Sequence, residues 1–157
     1  MQITKLVYLG SSGTIDVHWV DDVGNTRRLA SYEAPSPDLI RAIASLGNET
    51  AECVGLTMAG VKSLVISKLN SHEASFRVVI RAMDGDVAAT ISTDPIEYAL
   101  QIVDTMTLKT EWKGLNGAPL ELLAIVRQVV AELEEYIDGK RAQRELEFSN
   151  RSVADKA

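Results

Sequence analysis

Two histidines, one cysteine and scattered carboxylates are all that this 157-residue chain offers for acid–base, nucleophilic or metal chemistry. Nucleophilic catalysis needs a nucleophile with a base in reach, and a metal centre needs several converging ligands. Neither pattern is present in the sequence. His18 lies in the alternating stretch TIDVHWV, on the face opposite Trp19, and reads as a half-exposed strand residue. His72 sits in the turn-like string NSHEAS. Cys53 has no base beside it and reads as a small buried hydrophobe. GSSG at 10–13 lacks the Lys-Ser/Thr of a phosphate loop and falls between two strands, so it reads as a turn. MDGD at 83–86 carries two carboxylates but not the remaining ligands of a calcium loop. Glu132, Glu134, Glu135 and Asp138 read as the solvated face of the last helix. The expectation is a protein that is not an enzyme and that carries no cofactor or metal.

Cations give a better lead. Lys62 and Lys68 fall in one expected strand, and Arg77 and Arg81 in the next. Even spacing within a strand sends each pair to one face. If the two strands pair in register, four cations share a face suited to an anion such as a nucleotide or a phosphate backbone. The bland alternative is a solvated sheet face whose charge deters edge pairing.

These residues need elements to hold them. Hydrophobic content of 46% and charged content of 24% fit one globular domain. Strands are expected at 2–9, 14–20 and 26–33, then a helix over SPDLIRAIASLG. Ser36 can cap that helix, Pro37 and Asp38 suit its first turn, and Gly47 is a plausible stop. NETAECVGL could continue the helix or connect it onward. Strands follow at 61–69, 75–83 and 87–93, the last two joined by a DGD hairpin turn. Residues 94–118, with Pro95, Trp112, Gly114 and Gly117, read as an irregular insertion or a short helix around Ile96 to Val103. From about Pro119, Leu122, Val126, Val129, Leu133 and Tyr136 step by four and three and mark a long helix. Its stripe suits packing on a sheet or a homo-oligomer contact. The expected fold is α+β: an antiparallel sheet in βββα-βββ-α order with two main helices, the C-terminal one long. Residues 1–140 form one domain and 141–157 a polar tail.

A formal charge of -6 argues against a general nucleic-acid binder. One cysteine excludes an intrachain disulfide, and with no long apolar run or signal peptide a cytoplasmic protein away from membranes is expected.

The tail places large apolar residues in a polar context. Gln143, Leu146 and Phe148 have the spacing Gln-x-x-Leu-x-Phe. This resembles the bacterial sliding-clamp-binding motif, in which Leu and Phe fill an apolar pocket and the Gln amide bonds at its rim. Glu147 departs from the motif, and nine residues follow Phe148. The alternative is a helix that runs on through Gly139, with Leu146 and Phe148 packed on the domain or on a second subunit. The longer string EEYIDGKRAQRELEF is similar to the C-terminal end of a group of small phage and prophage proteins. The start of that group, an Ile-Thr-Lys strand, a hairpin and a Pro-Asp-Leu helix, is similar to residues 2–46. The resemblance implies a bacteriophage origin and an accessory role around DNA replication, recombination or defence. The leading expectation is therefore a non-catalytic adaptor that binds a protein partner, with the replication sliding clamp as candidate. The others are a nucleotide or small-ligand sponge that counters host defence, using Lys62, Lys68, Arg77 and Arg81, and an accessory DNA-binding protein.

Overall fold

The computed structural model describes residues 1–10, 13–56, 59–84 and 86–140. Its strands are β1 (Gln2–Leu9), β2 (Thr14–Val20), β3 (Thr26–Ser31), β4 (Ala59–Leu69), β5 (Glu73–Asp84), β6 (Val87–Ser92), β7 (Ile96–Asp104) and β8 (Lys109–Gly114). The helices are α1 (Pro37–Cys53) and α2 (Leu120–Ile137). All strand pairings are antiparallel, in the order β3-β2-β1-β4-β5-β7-β8, with β6 also beside β5. The expected α+β class and the longer C-terminal helix are both found.

The sheet is apolar on one face only. Ile3, Leu6, Ile15, Val17, Leu64, Ile66, Phe76, Val78 and Ile80 are buried and form one core with Leu39, Ile43 and Leu46 of α1 and Leu122, Val126, Val129 and Leu133 of α2. The stripe read from the α2 sequence is thus buried within the single chain. The opposite face carries Lys5, Asp16, His18, Val65 and Arg77, none of them buried. The first strands of the two β-rich blocks, β1 and β4, pair at the centre, so each block spreads outward from the middle.

Ser36 does cap α1, its Oγ accepting from the Leu39 N–H at 3.4 Å, with Pro37 in the first turn. Gly47 does not stop the helix, which runs on to Cys53. A Cβ on Gly47 would lie 2.4 Å from the Ala59 carbonyl oxygen, so glycine here allows close approach of α1 to β4.

Residues 94–118 correct the sequence reading. Neither a helix nor an irregular insertion occupies Ile96 to Val103; β7 and β8 form a hairpin there. Ile96 and Tyr98 turn inward at period two, and Tyr98 stacks on Phe76 at 5.9 Å and donates to the Pro119 carbonyl at 2.7 Å. β6 and β7 both lie along β5, separated at Thr93 to Pro95. The Thr93 hydroxyl accepts from the Val78 N–H at 3.1 Å, filling the ladder where the strand breaks. Beyond the end of β5, residues 101–111 are exposed throughout, including Ile102, Val103, Met106 and Leu108.

Replacing Gly47 by Ala should destabilise the protein by about 2 kcal/mol or more, despite alanine's ~1 kcal/mol advantage in a helix. Urea unfolding measures this. Unchanged or raised stability would mean that α1 does not press on Ala59.

Candidate functional site

The four cations singled out by sequence do not form one cluster. β4 carries irregularities at Val61/Ser63 and at Ile66/Lys68, so even spacing between Lys62 and Lys68 crosses two register shifts. The two lysines stand about 18 Å apart along the strand. Lys68 is bound to Glu73, Nζ to Oε2 at 3.0 Å, and is thereby neutralised. Its ammonium is held above the ordinary lysine value by that carboxylate.

Lys62 and Arg81 come together at the other end. Both line a cavity of about 590 Å³ between α1, the end of β1 and the start of β4. Ile40, Ile43, Val61 and Leu9 give it an apolar wall, and Tyr8 and Asn48 add a ring and an amide. Gly60 faces Arg81 across the β4–β5 ladder, and a Cβ there would meet nothing within 4 Å. Among the described residues, neither Lys62 nor Arg81 makes an ion pair, and no Asp or Glu lines the cavity.

Arg77 lies in mid-face, in a row that sequence reasoning missed. The ladders place Arg28 beside His18, His18 beside Lys5, Lys5 beside Val65 and Val65 beside Arg77. Cross-strand neighbours could be found only with the register known. Part of this charge is already answered. Asp16 accepts from Arg28 at 2.9 and 2.7 Å and lies 3.3 Å from His18. The Arg28 guanidinium, rather than solvent exposure, holds the Asp16 carboxyl below the usual carboxylate range.

A second cavity, of about 770 Å³, is lined by Cys53, Thr93, Asp94, Pro95, Asn116 and Leu122 among others. Cys53 is exposed, contrary to the buried reading, and is the last residue of α1. Surrounding protein, then Glu49 and Glu52, push its thiol up, which leaves it a poor nucleophile at neutral pH. The described residues contain no group of three or more His, Cys, Asp or Glu able to hold a metal, and no helix long and apolar enough to cross a membrane.

Gln143, Leu146 and Phe148 lie outside the described residues. Their root is described. Gly139, at φ 110°, ends the helix, and the Lys140 N–H donates back to the Glu135 carbonyl at 3.0 Å. The Lys140 ammonium then meets Glu135 at 2.9 Å, Asp38 at 3.3 Å and Glu132 at 3.6 Å. These carboxylates, Glu135 foremost, hold Lys140 above its ordinary value. Glu132 is a further correction: it is 9% exposed rather than solvated, with Gln128 donating to its Oε1 at 3.2 Å. Tyr136 is buried and donates to the Glu33 carbonyl at 3.1 Å.

No protein-family model, curated protein or solved structure matches the chain.

The paired Asp16 carboxylate favours the folded state above its unfolded pKa and loses that contribution as pH falls through its lower folded value. An Asp16→Asn variant should therefore melt below wild type at neutral pH, and the gap should close below about pH 4. Thermal melts of both proteins across pH test this. A gap independent of pH would remove the ion pair as its cause.

Proposed function

We propose that this is a non-catalytic accessory protein of phage type that acts by binding a partner protein. The partner is a bacterial replication sliding clamp, engaged through Gln143, Leu146 and Phe148. One observation carries most weight. α2 ends at Ile137, and Lys140 is fixed to carboxylates of both helices, three residues before Gln143. The helix stops at Ile137 and so does not carry the α2 stripe through Gly139 toward Leu146 as one element. The motif begins three residues past this anchored lysine, which supports reading it as a segment offered to a partner. Its physics suits a clamp pocket: two apolar anchors and one amide with directional hydrogen bonds.

Direct DNA contact through the sheet has less support. The strands place no Phe, Tyr or Trp on the uncovered face for base stacking, and the chain carries a formal charge of -6.

Calorimetry with a purified bacterial sliding clamp tests the proposal. Two anchors worth about 2 kcal/mol each predict roughly thousandfold weaker binding in the Leu146→Ala/Phe148→Ala double variant. The urea midpoint should not move. Absence of heat with the wild type would end the clamp reading, and a loss of several kcal/mol of stability in the variant would assign the two residues to packing.

A further inference from the structure

We propose that the cavity holding Lys62 and Arg81 is a binding site for a nucleoside monophosphate, independent of any role of the tail. Its volume of about 590 Å³ suits a small ligand, since enclosing pockets run from ~300 to ~1,000 Å³. Its lining is chemically divided. Ile40, Ile43 and Val61 supply an apolar wall, with Ile40 43% exposed although it belongs to a core-packing helix. Lys62 and Arg81 supply two positive charges at the β-sheet side.

The charge count selects the head group. Six of the ten other described cations already have a carboxylate: Lys68 has Glu73, Arg28 has Asp16, Arg27 has Asp21, Arg41 has Asp38, Lys109 has Glu111 and Lys140 has three, while Lys5, Arg77, Lys113 and Arg127 have none among the described residues but line no part of this cavity. Lys62 and Arg81 have none among the described residues, and they share one cavity. Two uncompensated cations match the nearly double negative charge of a phosphate monoester better than the single charge of a carboxylate. Arginine adds a planar fork that bonds two phosphate oxygens, and lysine adds a point charge.

The remaining lining selects the body. Tyr8 offers a ring for a planar group, and the Asn48 amide can both donate to and accept from a base edge. Gly60 keeps the space opposite Arg81 open, because a Cβ there would meet nothing within 4 Å. A phosphate at the cations and a base between Tyr8 and the α1 wall would use all of these groups.

The test uses the full chain in thermal melts with AMP, GMP, CMP and UMP, each at about 5 mM, beside inorganic phosphate and adenosine. At least one nucleotide should raise the melting temperature by about 2–4 °C, and phosphate or adenosine alone by less. Lys62→Ala and Arg81→Ala should each weaken calorimetric binding about tenfold or more. Gly60→Val should abolish it by filling the space beside Arg81 while keeping both cations. Four silent nucleotides would overturn the proposal. So would an equal rise with inorganic phosphate, which would mark an adventitious anion only, or undiminished binding in all three variants.

Discussion

The close approach of α1 to β4 at Gly47 constrains how the first helix sits on the sheet. The helix backbone lies against the Ala59 carbonyl, where even a methyl group would be 2.4 Å away. That contact sets the depth at which α1 rides on the sheet. Leu39, Ile43 and Leu46 can then reach the same core as Leu64 and Val78. It also sets the cavity wall, because Ile43, Ala44 and Asn48 flank Gly47 and face the start of β4. A bulkier residue at 47 would lift the helix and alter the core and the cavity together. One missing side chain thus serves folding and the proposed ligand site at once.

The one-sided sheet imposes the second constraint. Two helices cover only one face, so every strand must alternate, or bulge, to keep apolar residues on that side. β1 shifts register between Ile3 and Lys5, and β4 does so twice. Each shift adds a residue that breaks strict alternation, and Lys62 lies in one of them. Lys62 is the extra residue of that shift, and it lines the same cavity as Arg81. The edge strands β3 and β8 carry Arg27, Arg28, Lys109, Glu111 and Lys113, which discourages pairing with another chain along those two edges.

Local signals were legible wherever the local pattern decided the outcome. The Ser36-Pro37-Asp38 start of α1, the period-two strands before it and the long stripe of α2 could all be read directly. Where distant contacts decided, the sequence misled. Gly47 has the identity of a helix stop, but its reason lies at Ala59. Ile96 to Val103 alternates, yet Pro95 and the glycines beyond it obscured the hairpin, and the Thr93 repair of the β5 ladder has no sequence signature. For the basic pairs, spacing could not foresee the bulges, the Lys68–Glu73 pair or the cross-strand row through Lys5 and His18. Glu132 looked solvated because helical periodicity does not reveal that Lys140 folds back over it.

The string YIDGKRAQRELEF divides at Lys140 in a way that bears on its resemblance to phage proteins. Tyr136 is buried and bonded to Glu33, Gly139 terminates the helix, and Lys140 ties α2 to the first turn of α1 through Asp38. Each of these residues has a folding task that any protein with the same helix pair would need. Likeness over that half of the string is explained by architecture and says little about partners. Gln143, Leu146 and Phe148 follow Lys140 in the sequence and lie outside the described residues. The proposed clamp contact draws on the second half of the string alone, which follows directly on the Lys140 that is paired to both helices.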